Sequence, residues 1–333
     1  MGIKHLNRYL TDHCSPNSIK KINLSDLANK TLLIDTSIYL YKFVEKNTLL
    51  ENVYLMISIF RHYNIIPVFV FDGKPPTEKK ELLDKRRADK KVAEDKYNVL
   101  KQELATAVAG DTPADAERKE DLMAEMEALK KKFVRIRETD TRQAKELMDA
   151  FGVSYLESCG EADQLCAYLM RHNYAWACVS DDMDMFVYGC RRVLRHMSLL
   201  QHSAILYNTE AILCDLNMSQ THFREVLILS GTDYNIHEKT SLVETFKWFN
   251  QYEKYCHRKD WCMEFYDWLM EHSKYIRDRA KLDKVVSLFD LGLFALNNHD
   301  EIREIIRVLP FRNKKVDMKK VQEMMEEDGF LFV

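Results

Sequence analysis

The stretch Ile66–Asp72, IPVFVFD, joins six apolar residues to a carboxylate, and three other segments repeat that arrangement. Thr31–Ile34 (TLLI) runs into Asp35, and Val153–Leu156 (VSYL) leads through ESCG to Glu161 and Asp163. Ala175–Val179 (AWACV) leads to Asp182 and Asp184. Continuous, β-branched and aromatic runs of this length suit strands of a parallel sheet covered on both faces. Amphipathic stretches such as Glu51–Tyr63 and Gln164–His172 separate them. This alternation predicts an α/β domain with a doubly wound, mostly parallel sheet. Val193–Met197 and Ala204–Tyr207 are expected as two further, edge strands.

Two regions depart from the alternation. From Lys74 to about Lys145 the chain is highly charged, and two helical patterns are broken by AGDTPAD (Ala109–Asp115), a turn signal. A helical insertion in the middle of a sheet predicts a projecting arm; charge content alone favours a solvated helical hairpin with no role. From about Thr221 onward the sequence is helical and aromatic-rich.

Composition sets looser bounds. With 49 Lys and Arg against 52 Asp and Glu, the net charge of −3 argues weakly against a nucleic-acid binder, so placement of charge must decide. Eight cysteines without a CxxC pair suggest neither zinc nor a redox motif, and free thiols fit a reducing compartment. MGIKHLNRYL has no signal-peptide apolar region, Leu6 replaces the residue that myristoylation prefers, and no apolar run reaches membrane-spanning length. A soluble, intracellular protein is expected, with no membrane partner.

The acids give the sharpest expectation. In open α/β sheets, functional groups gather beyond the carboxyl ends of the strands. Asp35, Asp72, Glu161, Asp163, Asp182 and Asp184 should therefore converge, and Asp233, in the turn after FREVLILS, can complete the set. Singly, each reads better as a helix cap or first-turn acid than as a metal ligand, and Asp181 is read as a cap or as a support to the ligands. Jointly, packed carboxylates need cations, and all-oxygen sites select hard ions such as Mg²⁺. Two such ions about 4 Å apart are a common device for phosphodiester hydrolysis. Lys79, Arg86 and Lys90 lie at i, i+7 and i+11, on one face of a helix beside the acids, among Lys80, Lys85, Arg87 and Lys91. They can hold a phosphate, or they form a solvated face. Tyr41 can stack on a base or sit in the core.

The segments MGIKHL, LLIDTSIYLYKF, VFVFDGKPPTEKKELLDKRRADKK, GEADQLCAYL, SDDMDMFVYG and LSGTDYN closely resemble the successive motifs of the flap endonuclease family. This resemblance implies a PIN-like 5′ nuclease core over residues 1–235, with residues 74–145 as a helical arch and 236–333 as a helical region. It implies that Asp35, Asp72, Glu161, Asp163, Asp182, Asp184 and Asp233 hold two Mg²⁺, for which Mn²⁺ can substitute. Lys79 and Arg86 match catalytic cations, Tyr41 a base-stacking aromatic, and Gly2 a residue near the active site. The implied reaction is cleavage of 5′ flaps, or 5′→3′ exonuclease action on DNA, in replication, repair or recombination. The implied partners are DNA junctions and free 5′ ends, along with accessory replication or recombination proteins. The implied place is the nucleus, or a cytoplasmic replication site if the chain is viral.

Two departures qualify the resemblance. GTDYN runs into IHEKTSLVETFKWFNQY without the family's glycine-rich duplex-gripping motif, so duplex binding is expected to use different contacts, be weaker or require a partner. The terminal GFLFV offers no evident sliding-clamp motif, so a sliding-clamp interaction is not expected. Other readings are a non-catalytic junction-binding scaffold and a 5′→3′ RNA exonuclease. A haloacid-dehalogenase-like phosphatase is disfavoured, because Ser37 and Lys74 stand where its second Asp belongs.

Overall fold

The computed structural model describes residues 2–106, 113–234, 240–259 and 262–332. Its seven strands are β1 (Ile19–Asn23), β2 (Thr31–Asp35), β3 (Ile66–Phe71), β4 (Ser154–Glu157), β5 (Ala177–Val179), β6 (Arg192–Ser198) and β7 (Ser203–Asn208). The first helices are α1 (Leu6–His13), α2 (Thr36–Glu45), α3 (Leu49–His62), α4 (Lys80–Thr106), α5 (Pro113–Lys130) and α6 (Glu138–Phe151). After β4 come α7 (Ala162–Arg171), α8 (Asp184–Val187), α9 (Thr209–Asp215) and α10 (Gln220–Leu229). The C-terminal part holds α11 (Leu242–Cys256), α12 (Phe265–His272), α13 (Arg279–Leu288), α14 (Leu291–Asn297), α15 (His299–Arg307) and α16 (Met318–Glu327).

The strands form one sheet in the order β1-β7-β6-β5-β2-β3-β4. Pairings from β6 to β4 are parallel, while β6–β7 and β7–β1 are antiparallel. From β2 the chain winds outward through β3 to β4, then returns to place β5 on the other flank of β2. The β2–β5 gap is thus a topological switch point, where crevices open at strand carboxyl ends. The placement of β6 and β7 corrects the edge expectation: both are internal, and β1 occupies that edge. β1 was hidden because IKKIN exposes Lys20 and Lys21, the charged character that protects edges from further pairing.

Alternation along the strands builds a core on each face. Leu33, Val68, Val70, Cys178 and Val193 pack on one side with α1, α7, α8 and the helices α10 to α15. Leu32, Ile34, Phe69, Phe71, Val179 and Leu194 pack on the other with α2, α3, α6 and α16. The sheet is therefore buried on both faces, which accounts for its uninterrupted apolar runs.

The C-terminal region serves both cores, because the segment before α16 crosses to the second face. There Lys314 N donates to Gly152 O (2.7 Å), Asp317 N to Ala150 O (2.8 Å) and Arg61 Nη2 to Lys314 O (3.1 Å). The expected boundary at 235/236 lies outside the described residues, as does most of the AGDTPAD turn.

The charged arm is the pair α4 and α5. It is held by a Tyr97–Phe133 ring contact (5.4 Å) and an Arg135–Glu94 ion pair (2.6 Å). Ala144, Leu147 and Met148 of α6 are buried under the sheet, so the arm ends before residue 145. No helix among the described residues is long and apolar enough to cross a membrane. The free-thiol expectation needs one correction: Cys256 and Cys262 form a disulfide, because the end of α11 and the approach to α12 bring their Cα atoms to 5.3 Å.

Candidate active site

The site begins where β2, β3 and β5 end. Asp35 is the last residue of β2 and is buried; Ser180, just past β5, donates its hydroxyl to Asp35 Oδ2 at 2.8 Å. Asp72 follows β3 and accepts from the Ser37 hydroxyl and from Ala162 N, the latter at 2.8 Å. This second bond brings the start of α7 to the end of β3. Gly73 makes the approach possible. Its N–H donates to Gly160 O (2.7 Å), and a Cβ there would lie 1.8 Å from Ser158 O. Gly73→Ala therefore forces the two loops apart, with an expected stability loss of about 1–3 kcal/mol. Chemical denaturation measures the loss, and an unchanged midpoint would show that the loops separate without cost.

Glu161 precedes α7 and Asp163 lies in its first turn. The Lys79 ammonium and the Tyr234 hydroxyl both donate to Glu161. Asp182 and Asp184 follow β5; Asp184 N donates to Asp182 Oδ1 (3.0 Å), which folds the DDMD segment on itself. Asp233 accepts from Arg86 (2.9 Å) and lies 3.8 Å from Lys79.

Electrostatic coupling joins all seven acids. Burial, then the neighbouring Asp72, pushes the Asp35 carboxyl up to about 8, against the Ser180 hydrogen bond. Asp163 is raised well above the usual range by burial and by Glu161. Asp184 is raised by burial, then by Asp182 and Asp233, and Asp182 by burial and Asp233 against its bond from Asp184 N. Burial alone would lower the Lys79 ammonium, but Glu161, Asp163 and Asp233 raise it, so it remains a cation. Anionic carboxylates at this density require positive charge, and Lys79 and Arg86 supply only part of it.

The donor chemistry fits hard metal ions. Every candidate ligand is a carboxylate oxygen, and Asp184 Oδ1 is buried without a hydrogen-bond partner. No three His, Cys, Asp or Glu side chains among the described residues already form a ligand cage. Several acids instead point an oxygen at Ser37, Ser180, Tyr234, Lys79 or Arg86.

The other expected residues separate into two places. Gly2 lies on the acids, at φ 74°; a Cβ would fall 2.5 Å from Asp182 Oδ1 and 2.6 Å from Asp184 Oδ1. The stripe on α4 diverges from this point. Lys79, in the turn before the helix, reaches the acids, and Arg86 reaches Asp233. Lys90 instead stands 4.9 Å over the Tyr41 ring and donates to Val134 O (2.8 Å). Tyr41, Arg86 and Lys90 line an open cavity of about 1040 Å³ between α2 and the base of the arm, together with Lys91, Lys131 and Arg135. Tyr41 is 43% exposed, so the core alternative for it does not hold.

Asp181 turns away from the acids. It pairs with Lys42 and accepts from His196 N (2.7 Å); burial would raise it, but these donors hold it below the usual carboxylate range.

Two residues escaped the sequence reading. Arg195 is buried; it donates to Asn7 Oδ1 (2.5 Å) and Asp181 O (3.0 Å), tying the DDMD segment to α1. Tyr234 holds Glu161 with its hydroxyl and lies 5.5 Å beneath the Lys79 ammonium. It lies within the LSGTDYN motif, which by itself assigns the ring no role. Tyr234→Phe leaves the ring under Lys79 and frees Glu161, so a drop of about 10-fold in single-turnover cleavage is expected. An unchanged rate would show that Lys79 alone orients Glu161.

A mostly parallel, doubly wound sheet with acids at its switch point defines a PIN-like nuclease fold. Residues 1–93 match the XPG N-terminal domain and residues 152–233 the XPG I-region, together more than half of the chain, with the outer arm between them. The chain belongs to the XPG-type flap endonuclease family. It is 29% identical over 253 residues to flap endonuclease 1 of Candida tropicalis, covering 70% of this chain and 63% of that protein. To flap endonuclease 1 of Methanococcus aeolicus it is 30% identical over 233 residues, covering 65% and 66%. The chain thus spans under two thirds of the length of these curated relatives.

Solved structures share the fold across nearly the whole chain. The catalytic core of Rad2 in complex with DNA substrate superposes with a TM-score of 0.63 at 18% identity, covering 99% of this chain and 96% of that one. Flap endonuclease-1 from Methanococcus jannaschii gives a TM-score of 0.56 at 18% identity, covering 98% of each chain.

Proposed function

We propose that this chain is a structure-specific 5′ nuclease that hydrolyses DNA phosphodiesters at 5′ flaps, junctions and free 5′ ends. The carrying observation is the gathering of Asp35, Asp72, Glu161, Asp163, Asp182, Asp184 and Asp233 at one switch point, with Lys79 and Arg86 inserted among them. In this reading the acids turn from their protein donors to hold two Mg²⁺, with Mn²⁺ as a substitute. Bound there, the ions supply Lewis-acid activation of water and neutralise charge on the phosphate.

The chain's own residues do the rest. A phosphate entering beside Glu161 and Asp233 competes for Lys79 and Arg86, so the cations transfer from carboxylate to substrate and stabilise its developing charge. Tyr41, at the mouth of the basic cavity, offers a ring face to the base beside the cut, and Lys90, now over that ring, moves to the backbone. The cavity walls supply further cations along the path of a single strand. Contacts to backbone and to a stacked base carry little sequence information, so selectivity rests on the shape of the junction and the 5′ end. Replication, repair or recombination is the setting this reading supports, in a nucleus or at a cytoplasmic replication site.

Competition between matched DNA and RNA flaps tests the substrate class. Preferential cutting of DNA is expected; equal or faster cutting of RNA would replace this reading with a 5′→3′ RNA exonuclease.

A further inference from the structure

The acid site uses none of the cysteines, yet two of them meet at the end of α11, just before the basic residues Arg258 and Lys259. Cys256 is the last residue of α11, and Cys262 lies three residues before α12; both are partly exposed, and their Cα atoms are 5.3 Å apart. That separation is within the range that a disulfide spans. Other contacts hold the two segments together independently of the sulfurs. Tyr252 OH donates to Met263 O (2.8 Å), and the Tyr255 ring packs against Trp268 (6.0 Å) and His272 (5.3 Å). The thiols therefore remain neighbours when reduced, the condition for reversible pairing.

Basic side chains stand beside Cys256, with Glu253 and Glu264 as the acids nearest to the pair in sequence among the described residues. Arg258 and Lys259 follow Cys256 closely, and with Lys254, Gln251 and Tyr255 they line an open groove of about 430 Å³. Positive charge favours the thiolate, the nucleophile in disulfide exchange. The remaining six cysteines are unpaired: Cys166, Cys178 and Cys190 are buried, Cys14 and Cys159 partly so, and Cys214 is exposed.

We propose that Cys256 and Cys262 are a redox-modification site, a dithiol that a low-molecular-weight disulfide such as oxidised glutathione converts to an intramolecular bridge. One cysteine thiolate attacks the glutathione disulfide and releases one glutathione thiolate, leaving a mixed disulfide. The second thiolate attacks the protein sulfur of that bond and releases the second glutathione. Two electrons pass to the oxidant, and the two thiol protons end on the released glutathiones. The bridge fixes the cationic end of α11, so less ordering is required when that groove meets backbone phosphate. The phosphate partner rests on the nuclease reading above; the thiol chemistry does not.

The test treats the chain with oxidised and then reduced glutathione, followed by differential alkylation and peptide mass spectrometry, with duplex-DNA affinity measured in each state. The expected result is a Cys256–Cys262 bridge that forms and reverts, about 3-fold tighter duplex binding when bridged, and loss of that difference in C256S and C262S. A pair that stays reduced, modification confined to Cys214, or measurable but equal affinity in the two states would overturn the proposal. Reversible pairing in a chain that binds no DNA in either state would leave the redox site standing and count against the phosphate-binding reading on which the affinity effect rests.

Discussion

Asp182→Ala is expected to lower single-turnover cleavage of a 5′-flap DNA by about 10³-fold or more, a loss of roughly 4 kcal/mol of transition-state stabilisation. Asp182 acts electrostatically on Asp35, Asp163 and Asp184. It is coupled to Asp233, takes the hydrogen bond that folds the DDMD segment, and has Gly2 against its carboxylate. Removing it takes away a proposed metal ligand and loosens Asp184, so the effect exceeds that of one lost charge. Duplex affinity should change little or rise, because a buried like charge is removed from the path of phosphate. Cleavage and filter-binding measurements on the same variant separate the two effects. A variant that cuts at the native rate would remove Asp182 from the ligand set.

Arg86→Ala is expected to reduce the single-turnover rate by about 10²–10³-fold while weakening affinity far less. Arg86 is 40% exposed at its side chain and pairs with Asp233, whereas Lys79 is almost enclosed by Glu161 and Asp233. Arg86 is thus the cation free to move toward an entering phosphate, and its contribution should grow as charge develops there. Equal losses in rate and affinity would show that it binds ground state and transition state alike. Comparison with Lys90→Ala adds a control from the same helix. Lys90 faces Tyr41 in the cavity, so its loss should act mainly on affinity.

The sheet was legible in the sequence wherever strands were buried on both faces, because a short continuous apolar run is satisfied only when both its sides are covered. That signal fails at β1, whose exposed Lys20 and Lys21 conceal an edge strand, and β6 and β7 were therefore misplaced at the edge. The acids were legible because each follows a strand, so the backbone direction alone carries them to one end of the sheet. The divergence of Lys79, Arg86 and Lys90 was not legible. Helical spacing puts them on one face, but Lys79 lies in the turn before α4, and a long helix carries Lys90 away from the acids toward Tyr41. Arg195 and Tyr234 act through contacts between segments far apart in sequence, and no local pattern marks such pairs. The Cys256–Cys262 pairing depends on where α11 stops and α12 starts, boundaries that residue pattern leaves loose.

Metal-dependent cleavage is tested most directly by single-turnover reaction of an end-labelled 5′-flap DNA in Mg²⁺, repeated in EDTA. The predicted result is cutting at the junction in Mg²⁺ and none in EDTA. Tight binding of the same DNA without cutting in Mg²⁺ would contradict the nuclease assignment and make the chain a junction-binding scaffold.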